Sequence, residues 1–300
     1  MKIVFHFDGG AALAEQLAAE GVTLCPESDE AALARLLPEV EVLWHVLKPV
    51  RAELIARAPR LKLVQKIGSG VNTIDVDACR ARGIAVCNLP GTNSRAVAEM
   101  TLLLMLACLR RLRELDAAVR RPGGWREAWS LQERAGELGG RTVGLLGYGA
   151  VARLLVPMLE AIGARVRYWS RSAASASFET VLAQSDIVSL HLPLVPETER
   201  IVDPFRMKRG AILVNTARGA LVDEARLAAA LASGHLSAAG LDVFATEPIA
   251  PDHPLLALPN VVATPHLAWL TRETLERSVA AALENTKRLA AGLPLLHRVA

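Results

Sequence analysis

Short apolar runs alternate with helix-forming segments along the first 93 residues of the chain. Apolar runs of this length are typical of buried strands, and the Ala-, Leu- and Arg-rich segments between them fit helices. The apolar runs are 3–7, 42–47 and 61–67, and the helix-forming segments that follow them are 11–19, 52–58 and 75–82. This alternation predicts a parallel sheet with helices on both faces.

The pattern changes at residues 90–94, where a Pro-Gly-Thr-Asn-Ser sequence interrupts it. A helix over 95–113 follows. Because it is apolar on most of its surface, we expect it to be packed on several sides and to join two domains. Six further apolar runs, separated by helical segments, predict a second parallel sheet at 142–146, 165–169, 187–190, 211–214, 239–243 and 261–263. A last helix over 271–291 is long enough to return across the first domain.

A glycine-rich turn joins the first strand of this second sheet to the helix that follows. Gly147 permits the tight strand-to-helix turn, Gly149 removes a Cβ so that the backbone can approach a pyrophosphate, and Ala152 keeps the helix close to the strand. The N–H groups at the helix start would face the anion. Any tight strand-to-helix turn can produce this spacing, so the turn alone is a weak indication of a dinucleotide site.

The strands and the turn together predict an α/β protein with two doubly wound parallel-sheet domains. We expect a Rossmann cofactor domain, residues 94–271, that is inserted into a flavodoxin-like substrate domain consisting of residues 1–93 and 272–300. We expect the chemistry of the protein to lie at the carboxyl ends of the strands, where open α/β sheets bind their ligands.

Composition and charge narrow the class of protein further. At 300 residues, with 52% hydrophobic and 22% charged positions, the chain is long enough for two globular domains. Its net charge of +3 is spread along the chain. The lack of a basic stripe with interleaved aromatic residues argues against a nucleic acid partner, and the weak positive balance suits small anionic ligands.

The amino-terminal segment lacks the features of a signal peptide. The longest apolar run, 102–109, is shorter than the roughly 20 residues that a membrane span needs. We therefore expect a cytoplasmic protein without membrane contact. The four cysteines show no C-x-x-C spacing, so we expect neither disulfides nor a metal site.

Three chemically different side chains, Arg218, Glu247 and His266, follow the fourth, fifth and sixth strands of the second domain. Arg218 can hold the carboxylate of a 2-oxo acid and polarise its carbonyl, and His266 can donate a proton as hydride arrives. Glu247 would orient the imidazole and favour its charged form. Taken singly, each residue also has an ordinary interpretation: a surface ion pair, a solvated carboxylate and a packed ring.

Four strings of the sequence resemble the D-2-hydroxyacid dehydrogenase family, in order over nearly the whole chain. They are NLPG at 88–91 with AVAE at 96–99, LVNTARG at 213–219, GLDVF at 240–244 followed by EP at 247–248, and PNV at 259–261 followed by TPH at 264–266. The resemblance implies that Arg218, Glu247 and His266 are the catalytic set. It also implies a homodimer joined through the cofactor domain, and a substrate carboxylate held by Arg218, His266 and the backbone at Ser69 and Gly70. The alternative for residues 68–72 is an ordinary turn.

Cofactor contacts are expected from the glycine turn and from the strand ends of the second domain. The predicted residues are Gly147, Tyr148, Gly149, Ala150, Val151, Ser170, Arg171, Ser172, Leu192, Pro193, Thr216, Ala217 and Asp242. Asp242 is alternatively a simple turn former.

The residue type at the end of the second strand of this domain predicts the cofactor. NAD enzymes hold the ribose hydroxyls there with an Asp or Glu, whereas this chain has Ser170 followed by Arg171. We expect NADPH in preference to NADH, because Arg171, with Ser170 and Ser172, can meet a 2′-phosphate. An exposed structural arginine is the alternative.

The predicted function is hydride transfer between NAD(P)H, with NADPH preferred, and a small 2-oxo acid. The resemblance favours glyoxylate or hydroxypyruvate as the substrate. Two alternatives are left open: a cofactor-sensing regulatory protein of the same fold without turnover, and an oxidoreductase acting on a non-acid carbonyl. His45, near a strand end of the first domain, is a further candidate to line the site.

Overall fold

The computed structural model describes residues 1–300, and the chain forms two compact units. The first unit consists of Met1–Asn93 and Thr271–Ala300, and the second is Ser94–Leu270. The second unit is therefore inserted into the sequence of the first. Thr271, which the sequence analysis places in the second domain, belongs to the first unit. Its hydroxyl accepts a hydrogen bond from Thr274 N and caps a helix of that unit.

The first unit is built on a five-stranded parallel sheet. Its strands are β1 (Ile3–His6), β2 (Val22–Cys25), β3 (Val42–His45), β4 (Leu63–Lys66) and β5 (Ala85–Cys87), in the order β2-β1-β3-β4-β5. Its helices are α1 (Ala11–Ala19), α2 (Glu30–Leu36), α3 (Ala52–Ala56), α4 (Val76–Ala81) and, near the end of the chain, α12 (Arg272–Ala290). Every residue of β1, β3 and β4 is buried, which explains why the sequence shows apolar runs rather than alternation.

Three basic side chains end the central strands of this sheet at the same register. His6 pairs with His45 across β1 and β3, and His45 pairs with Lys66 across β3 and β4. All three residues are at most 4% exposed. Partners at one register point to the same face, so these side chains form a buried row at the carboxyl edge.

The carboxyl-terminal helix α12 completes the first unit through two buried polar contacts. Asn285 Nδ2 donates to Gln65 Oε1 over 2.8 Å, and Trp44 Nε1 donates to Thr286 Oγ1 over 3.3 Å. Trp44, Gln65 and Asn285 have no solvent exposure. The first 93 residues thus depend on the last 30 for the partners of their own buried polar groups.

The second unit contains a six-stranded parallel sheet. Its strands are β6 (Thr142–Leu146), β7 (Arg165–Trp169), β8 (Ile187–Leu190), β9 (Ile212–Asn215), β10 (Ala238–Leu241) and β11 (Val261–Ala263). Their order is β7-β6-β8-β9-β10-β11. The chain thus reverses its progress across the sheet at β6. The carboxyl ends of β6 and β8 form the switch point, at which open α/β sheets bind their ligands.

Helices cover both faces of the second sheet. They are α5 (Ser94–Leu109), α6 (Leu112–Val119), α7 (Gly124–Glu127), α8 (Ala150–Ala161), α9 (Phe178–Gln184), α10 (Glu224–Ala232) and α11 (Pro254–Ala257). Neighbouring residues of one strand accordingly belong to different cores. Leu145 and Val214 pack in the core that contains residues of α5 and α8, while Leu146 and Leu213 pack in the core of the opposite face.

The long helix predicted over 95–113 is two helices in the structure. α5 ends at Leu109 and α6 begins at Leu112. Between them, Arg111 adopts a left-handed conformation with φ of 53° and is only 9% exposed. Its guanidinium donates to Ser237 O over 3.0 Å. The helix breaks because a buried arginine reaches the carbonyl of another segment, which the apolar pattern of 95–113 does not reveal.

Three elements of the first unit, β2, β5 and α2, were not predicted from the sequence. β2 and β5 are the two outer strands of their sheet and have only four and three residues.

All four cysteines are buried as free thiols. None of the helices combines the length and the apolar character that crossing a membrane requires.

Candidate active site

The glycine turn lies between β6 and α8, as the sequence predicts. Gly147 has a φ of 106°, and a Cβ at this residue would collide with the backbone of His191. Both observations restrict the position to glycine. Gly149 precedes the first residue of α8, and its missing Cβ leaves open space, with no atom within 4 Å.

The first turn of α8 begins at Ala150 and Val151, and no side chain caps its backbone N–H groups. Unpaired N–H groups at a helix start, with open space in front of Gly149, fit a bound pyrophosphate. On the neighbouring side of the turn, the ring of Tyr148 stacks on the ring of Tyr168 with a centroid separation of 3.8 Å. The guanidinium carbon of Arg153 lies 4.7 Å from the centroid of the Tyr148 ring. The residues of the turn therefore fit a dinucleotide.

A tight turn closes the end of β7 and presents Arg171. Ser170 Oγ donates to Ala173 O over 2.8 Å and accepts from Ala173 N over 3.0 Å, and Ser170 N also donates to Ala173 O. The hydroxyl of Ser170 is thus used to hold the turn, which leaves Arg171 and Ser172 exposed at its tip. Ser170 was predicted to contact a 2′-phosphate. Its hydroxyl is instead bonded within the turn, where it positions Arg171.

The residues after β8 and β9 lie at the same edge of the sheet. Leu192 is buried and Pro193 is exposed, after the strand that ends at Leu190. Thr216 is half-buried directly after β9, and its hydroxyl lies 2.9 Å from that of Thr101 on α5. No motif in the sequence pointed to Thr101.

Asn215 holds the loop that carries Arg218. Its Oδ1 accepts from Ala217 N over 3.0 Å, and its Nδ2 donates to Arg218 O over 2.8 Å. The guanidinium of Arg218 donates to Ala217 O over 2.6 Å. Burial lowers the pKa of Arg218, and the negative charge of Glu247 opposes that shift. Arg218 therefore lies within electrostatic reach of Glu247. The role of Asn215 was not predicted from the sequence, although its place in the NTARG string was a signal.

Glu247 and His266 form a hydrogen-bonded pair. Glu247 Oε2 lies 2.7 Å from His266 Nδ1, with the carboxylate 31% and the ring 18% exposed. Glu247 Oε1 accepts from Phe244 N over 2.9 Å. Burial raises the pKa of Glu247, but hydrogen bonds from His266 and Phe244 and the charges of His266 and Arg218 outweigh it, so the pKa lies below its ordinary value. The carboxylate is thus charged near neutral pH and orients the ring by its Nδ1.

The carboxylate of Asp242 anchors the loop that carries His266. Asp242 is 1% exposed, and its carboxylate accepts from Thr264 Oγ1 over 2.5 Å, from Leu267 N over 3.0 Å and from Ala268 N over 2.9 Å. Its backbone oxygen accepts from His266 N over 2.7 Å. These bonds support His266 in a left-handed conformation, with φ of 55°, that a residue with a Cβ rarely adopts. The structure thus gives the predicted cofactor residue Asp242 a positioning role; a contact with cofactor stays a prediction.

The predicted substrate loop belongs to the first unit. Ser69 is exposed and Gly70 is half-buried. Asn88 Nδ2 donates to Ser69 O over 2.7 Å, which fixes the loop from the neighbouring strand. Their substrate contact stays a prediction. His45, the further candidate, is 1% exposed, and its Nε2 lies 3.2 Å from Thr73 Oγ1.

A glycine turn that opens a helix, together with an arginine, a glutamate and a histidine after successive strands, defines a dinucleotide-binding α/β protein with an acid–base pair at its sheet edge. The model of the D-isomer specific 2-hydroxyacid dehydrogenase NAD-binding domain matches residues 102–268. The chain therefore belongs to the D-isomer specific 2-hydroxyacid dehydrogenase family.

Two relatives illustrate the range of the family. The chain is 40% identical over 279 residues to the D-3-phosphoglycerate dehydrogenase of Mycobacterium leprae, with 88% of this chain and 52% of that protein covered. It is 41% identical over 271 residues to the glyoxylate reductase of Aeropyrum pernix, with 85% of this chain and 81% of that protein covered. The chain thus spans about half the length of the phosphoglycerate dehydrogenases that it matches.

Solved structures share the fold over the whole chain. A protein from Thermus thermophilus superimposes with a TM-score of 0.88 at 37% identity, with 100% of both chains covered. An NAD-dependent formate dehydrogenase from Staphylococcus aureus, solved in complex with NAD, gives a TM-score of 0.87 at 27% identity, with 99% of this chain and 97% of that chain covered. Together with the matched NAD-binding domain and the fitting glycine turn, these relatives support a nicotinamide dinucleotide as the cofactor.

Proposed function

We propose that the protein transfers hydride between a nicotinamide dinucleotide and a small 2-oxo acid or D-2-hydroxy acid. The observation that carries the proposal is the 2.7 Å contact between His266 Nδ1 and Glu247 Oε2, with Arg218 in electrostatic reach of the same carboxylate. The cofactor, when bound, supplies the hydride. We assign the other roles in the reaction to side chains and backbone groups of this chain.

Arg218 would bind the substrate carboxylate and polarise the 2-oxo carbonyl. Its charge is partly desolvated, which strengthens its attraction to an anion. Because Glu247 engages Nδ1 of His266, the proton on Nε2 is the one available for the carbonyl oxygen. In the reverse direction, the same Nε2 would accept the hydroxyl proton. The backbone at Ser69 and Gly70 is our proposed further contact for the substrate carboxylate.

Glyoxylate and hydroxypyruvate are the substrates that we propose first. The 41% identical Aeropyrum pernix relative is a glyoxylate reductase, and this chain covers 81% of it. The phosphorylated 2-oxo acid that corresponds to D-3-phosphoglycerate is the next to test, because several relatives are D-3-phosphoglycerate dehydrogenases. The relatives act on different acids. The residues that contact the part of the substrate beyond its 2-oxo acid group therefore determine which acid this protein prefers.

The test is NADPH and NADH oxidation with these three acids and with plain aldehydes and ketones. Saturable turnover of at least one 2-oxo acid, with little turnover of the plain carbonyls, is the expected result. Tight cofactor binding without any turnover would instead favour a cofactor-sensing protein. Equal activity on plain carbonyls, unchanged in Arg218→Gln, would favour an oxidoreductase for non-acid substrates.

The proposed preference for NADPH over NADH rests on Arg171. This arginine stands exposed at the tip of the turn that Ser170 closes, and no Asp or Glu ends β7. Replacing Arg171 by Ala should lower kcat/KM with NADPH about tenfold, the worth of one charge-assisted hydrogen bond, and leave kcat/KM with NADH nearly unchanged. Arg167→Ala removes a charge from the same strand and is the matched control. A wild type that favours NADH would contradict the proposal.

We also propose a homodimer joined through the second unit. Five of the twelve exposed large apolar side chains lie within residues 103–129, namely Leu103, Leu112, Val119, Trp125 and Trp129, at 51–69% exposure. This concentration of exposed apolar side chains in one stretch of the chain supports an interface there. The double replacement Trp125→Ser and Trp129→Ser should halve the mass measured by light scattering, while Leu293→Ser in the first unit should not change it. A wild-type mass of one chain would contradict the dimer.

A further inference from the structure

The loop that follows β4 in the first unit is bound at two consecutive carbonyl oxygens by the segment that follows β5. Gly68 O accepts a hydrogen bond from Leu89 N over 2.8 Å, and Ser69 O accepts one from Asn88 Nδ2 over 2.7 Å. The carbonyls of two neighbouring peptide groups are thus turned toward the same segment of the chain.

The direction of these carbonyls fixes the direction of the next two N–H groups. Both peptide groups of the loop are trans. In a planar trans peptide, the C=O and the N–H point to opposite sides. The N–H of Ser69 shares its peptide group with Gly68 O, and the N–H of Gly70 shares its peptide group with Ser69 O. Both N–H groups are therefore directed away from residues 88 and 89.

The two N–H groups are available to a ligand. No group of the chain accepts a hydrogen bond from Ser69 N or Gly70 N. Ser69 is exposed and Gly70 is half-buried, so solvent reaches this loop. Successive backbone N–H groups that face one side of a turn are suited to bind an anion. The orientation of the loop therefore supports the contact with the substrate carboxylate that we propose for Ser69 and Gly70.

The two N–H groups are held in different ways. The backbone N–H of Leu89 holds the peptide group that carries the Ser69 N–H, whereas the side chain of Asn88 holds the peptide group that carries the Gly70 N–H. The backbone of Asn88 is itself anchored, because its N–H donates to His297 O over 3.2 Å. Replacing the Asn88 side chain should therefore free one peptide group of the loop and leave the other in place.

We propose that Asn88 is a positioning residue whose side-chain amide turns the Gly70 N–H toward the carboxylate of a 2-oxo acid. The inference rests on the proposed function, which assigns that carboxylate to the backbone at Ser69 and Gly70. Asn88 acts through the peptide group that it holds and does not itself contact the substrate. Its removal should weaken substrate binding and leave the chemical step and the cofactor affinity nearly unchanged.

Nuclear magnetic resonance on protein labelled with nitrogen-15 in serine and glycine reads the two N–H groups separately. The probe is oxamate, an unreactive analogue of a 2-oxo acid, added to protein saturated with whichever of NADPH and NADH binds more tightly. In wild type, oxamate should shift the amide proton resonances of Ser69 and Gly70 downfield, because both protons gain a carboxylate acceptor. In Asn88→Ala, Gly70 should lose most of this shift and Ser69 should keep it.

Steady-state kinetics give a second measurement on the same variants. Asn88→Ala should raise the inhibition constant of oxamate and the KM of the best 2-oxo acid about 5- to 10-fold, the effect of one lost neutral hydrogen bond, with kcat changed less than about twofold. Asn88→Gln keeps a primary amide donor and should bring both constants to within about threefold of wild type. Should Asn88→Ala fail to fold, Asn88→Asp keeps the size of the side chain, removes the donor and should weaken oxamate binding at least as much.

Asn260→Ala is the matched control in the second unit. Asn260 Nδ2 also donates to a backbone carbonyl, Ser237 O, over 3.2 Å. The variant removes the same kind of hydrogen bond from a segment to which no substrate contact is assigned. It should leave the inhibition constant of oxamate and both amide shifts at their wild-type values.

Three results would overturn the inference, and each differs from the others. Loss of both amide shifts in Asn88→Ala, with a matching fall in kcat, would mean that Asn88 supports the whole loop rather than one peptide group. Unchanged shifts and constants would mean that Asn88 does not position Gly70. Oxamate that binds to wild type without shifting either amide would overturn the loop contact itself, whereas a wild type that neither binds oxamate nor turns over any 2-oxo acid overturns the proposed function as well.

Discussion

The carboxyl edges of the two sheets both carry histidines, but the structure surrounds these histidines differently. At the edge of the first sheet, His6 and His45 are 2% and 1% exposed, and one ring nitrogen of each lacks a hydrogen-bond partner. At the edge of the second sheet, the ring of His266 is 18% exposed and bonded to Glu247. The first environment favours a neutral ring, whereas the second gives the ring a carboxylate partner and access to solvent.

The pKa values of the two histidines at the first edge follow from their burial. Burial, and next the charge of Lys48, lowers the pKa of His6, while burial and the charge of Lys66 lower that of His45 well below 6.5. A ring kept neutral by its surroundings cannot deliver a proton near neutral pH. A position at a strand end is therefore not enough to identify a histidine that takes part in acid–base chemistry. A carboxylate partner and access to solvent select the one that can perform it.

The largest expected effect comes from removing the ring at the second edge. His266→Ala should lower kcat about 10³-fold and change the dissociation constant for the cofactor by less than about threefold, because a positioned general acid contributes 10²- to 10⁴-fold. The matched control is His253→Gln, since His253 also pairs with a glutamate of this unit, with Nε2 3.5 Å from Glu224 Oε2. Near-normal turnover of His266→Ala would refute the assignment.

Removing the carboxylate partner should have a smaller effect with a distinct pH signature. Glu247→Gln should lower kcat about 10- to 100-fold. The pKa of Glu247 lies below its ordinary value, so the wild-type carboxylate is charged throughout the neutral range and favours a charged ring. Without it, the activity for reduction should begin to fall at a lower pH than in wild type. Rate profiles from pH 5 to 9 measure this; superimposable profiles would contradict it.

The anchor of the His266 loop offers a third comparison. In Asp242→Asn, the amide Nδ2 cannot accept from a backbone N–H, so the free energy of unfolding should fall by about 1–3 kcal/mol. The amide protons of Leu267 and Ala268, which donate to this carboxylate, should exchange faster with solvent. Thr264→Val removes a single hydroxyl donor and should show a milder effect. Unchanged exchange at both amides would show that the carboxylate does not hold the loop.

The smallest expected effect is the acid sensitivity of the first unit. His6 and His45 have folded pKa values below the unfolded value of about 6.5, so the unfolded chain binds more protons below that pH. Stability should be complete above pH 6.5 and fall as the pH drops toward the folded values, by at most about 1.4 kcal/mol per pH unit for each ring.

Urea unfolding at pH 7.5, 6.5 and 5.5, read by hydrogen exchange in β3 and β4, measures this slope. His45→Gln keeps a donor and an acceptor near Thr73 and should reduce the pH dependence. A first unit equally stable at all three pH values would mean that both rings protonate freely in the folded state, and the contrast between the two sheet edges would be lost.

The strands at 142–146, 165–169, 187–190 and 261–263 appear with the predicted bounds. The first and third of these are buried at every residue, as expected for strands covered on both faces. Burial does not explain the other outcomes, because β7 is exposed or half-buried along its length, whereas β5 is fully buried and was not predicted. The break between α5 and α6 depends on a bond from Arg111 to a carbonyl 126 residues later, and local patterns cannot contain such information.

The candidate site shows the same division. Strand ends and family strings pointed to Arg218, Glu247 and His266, and the structure brings the last two within 2.7 Å. The sequence did not reveal which groups hold these residues in place. The hydrogen bonds that Asn215 donates, that the carboxylate of Asp242 accepts and that Thr101 and Thr216 share depend on side-chain rotamers and on segments that meet only in the folded chain.

The discontinuous first unit has a consequence for the order of events during synthesis. Residues 1–93 are made before the second unit, yet the groups that pair with Trp44 and Gln65 are Thr286 and Asn285, which are made after it. The inserted unit has no such dependence and can reach its native state earlier. We expect pulse-labelled hydrogen exchange on the nascent and on the refolding chain to protect β6–β9 before β3 and β4; the reverse sequence of protection would disprove it. Helix α12 thus completes the first unit only after the second unit has been made.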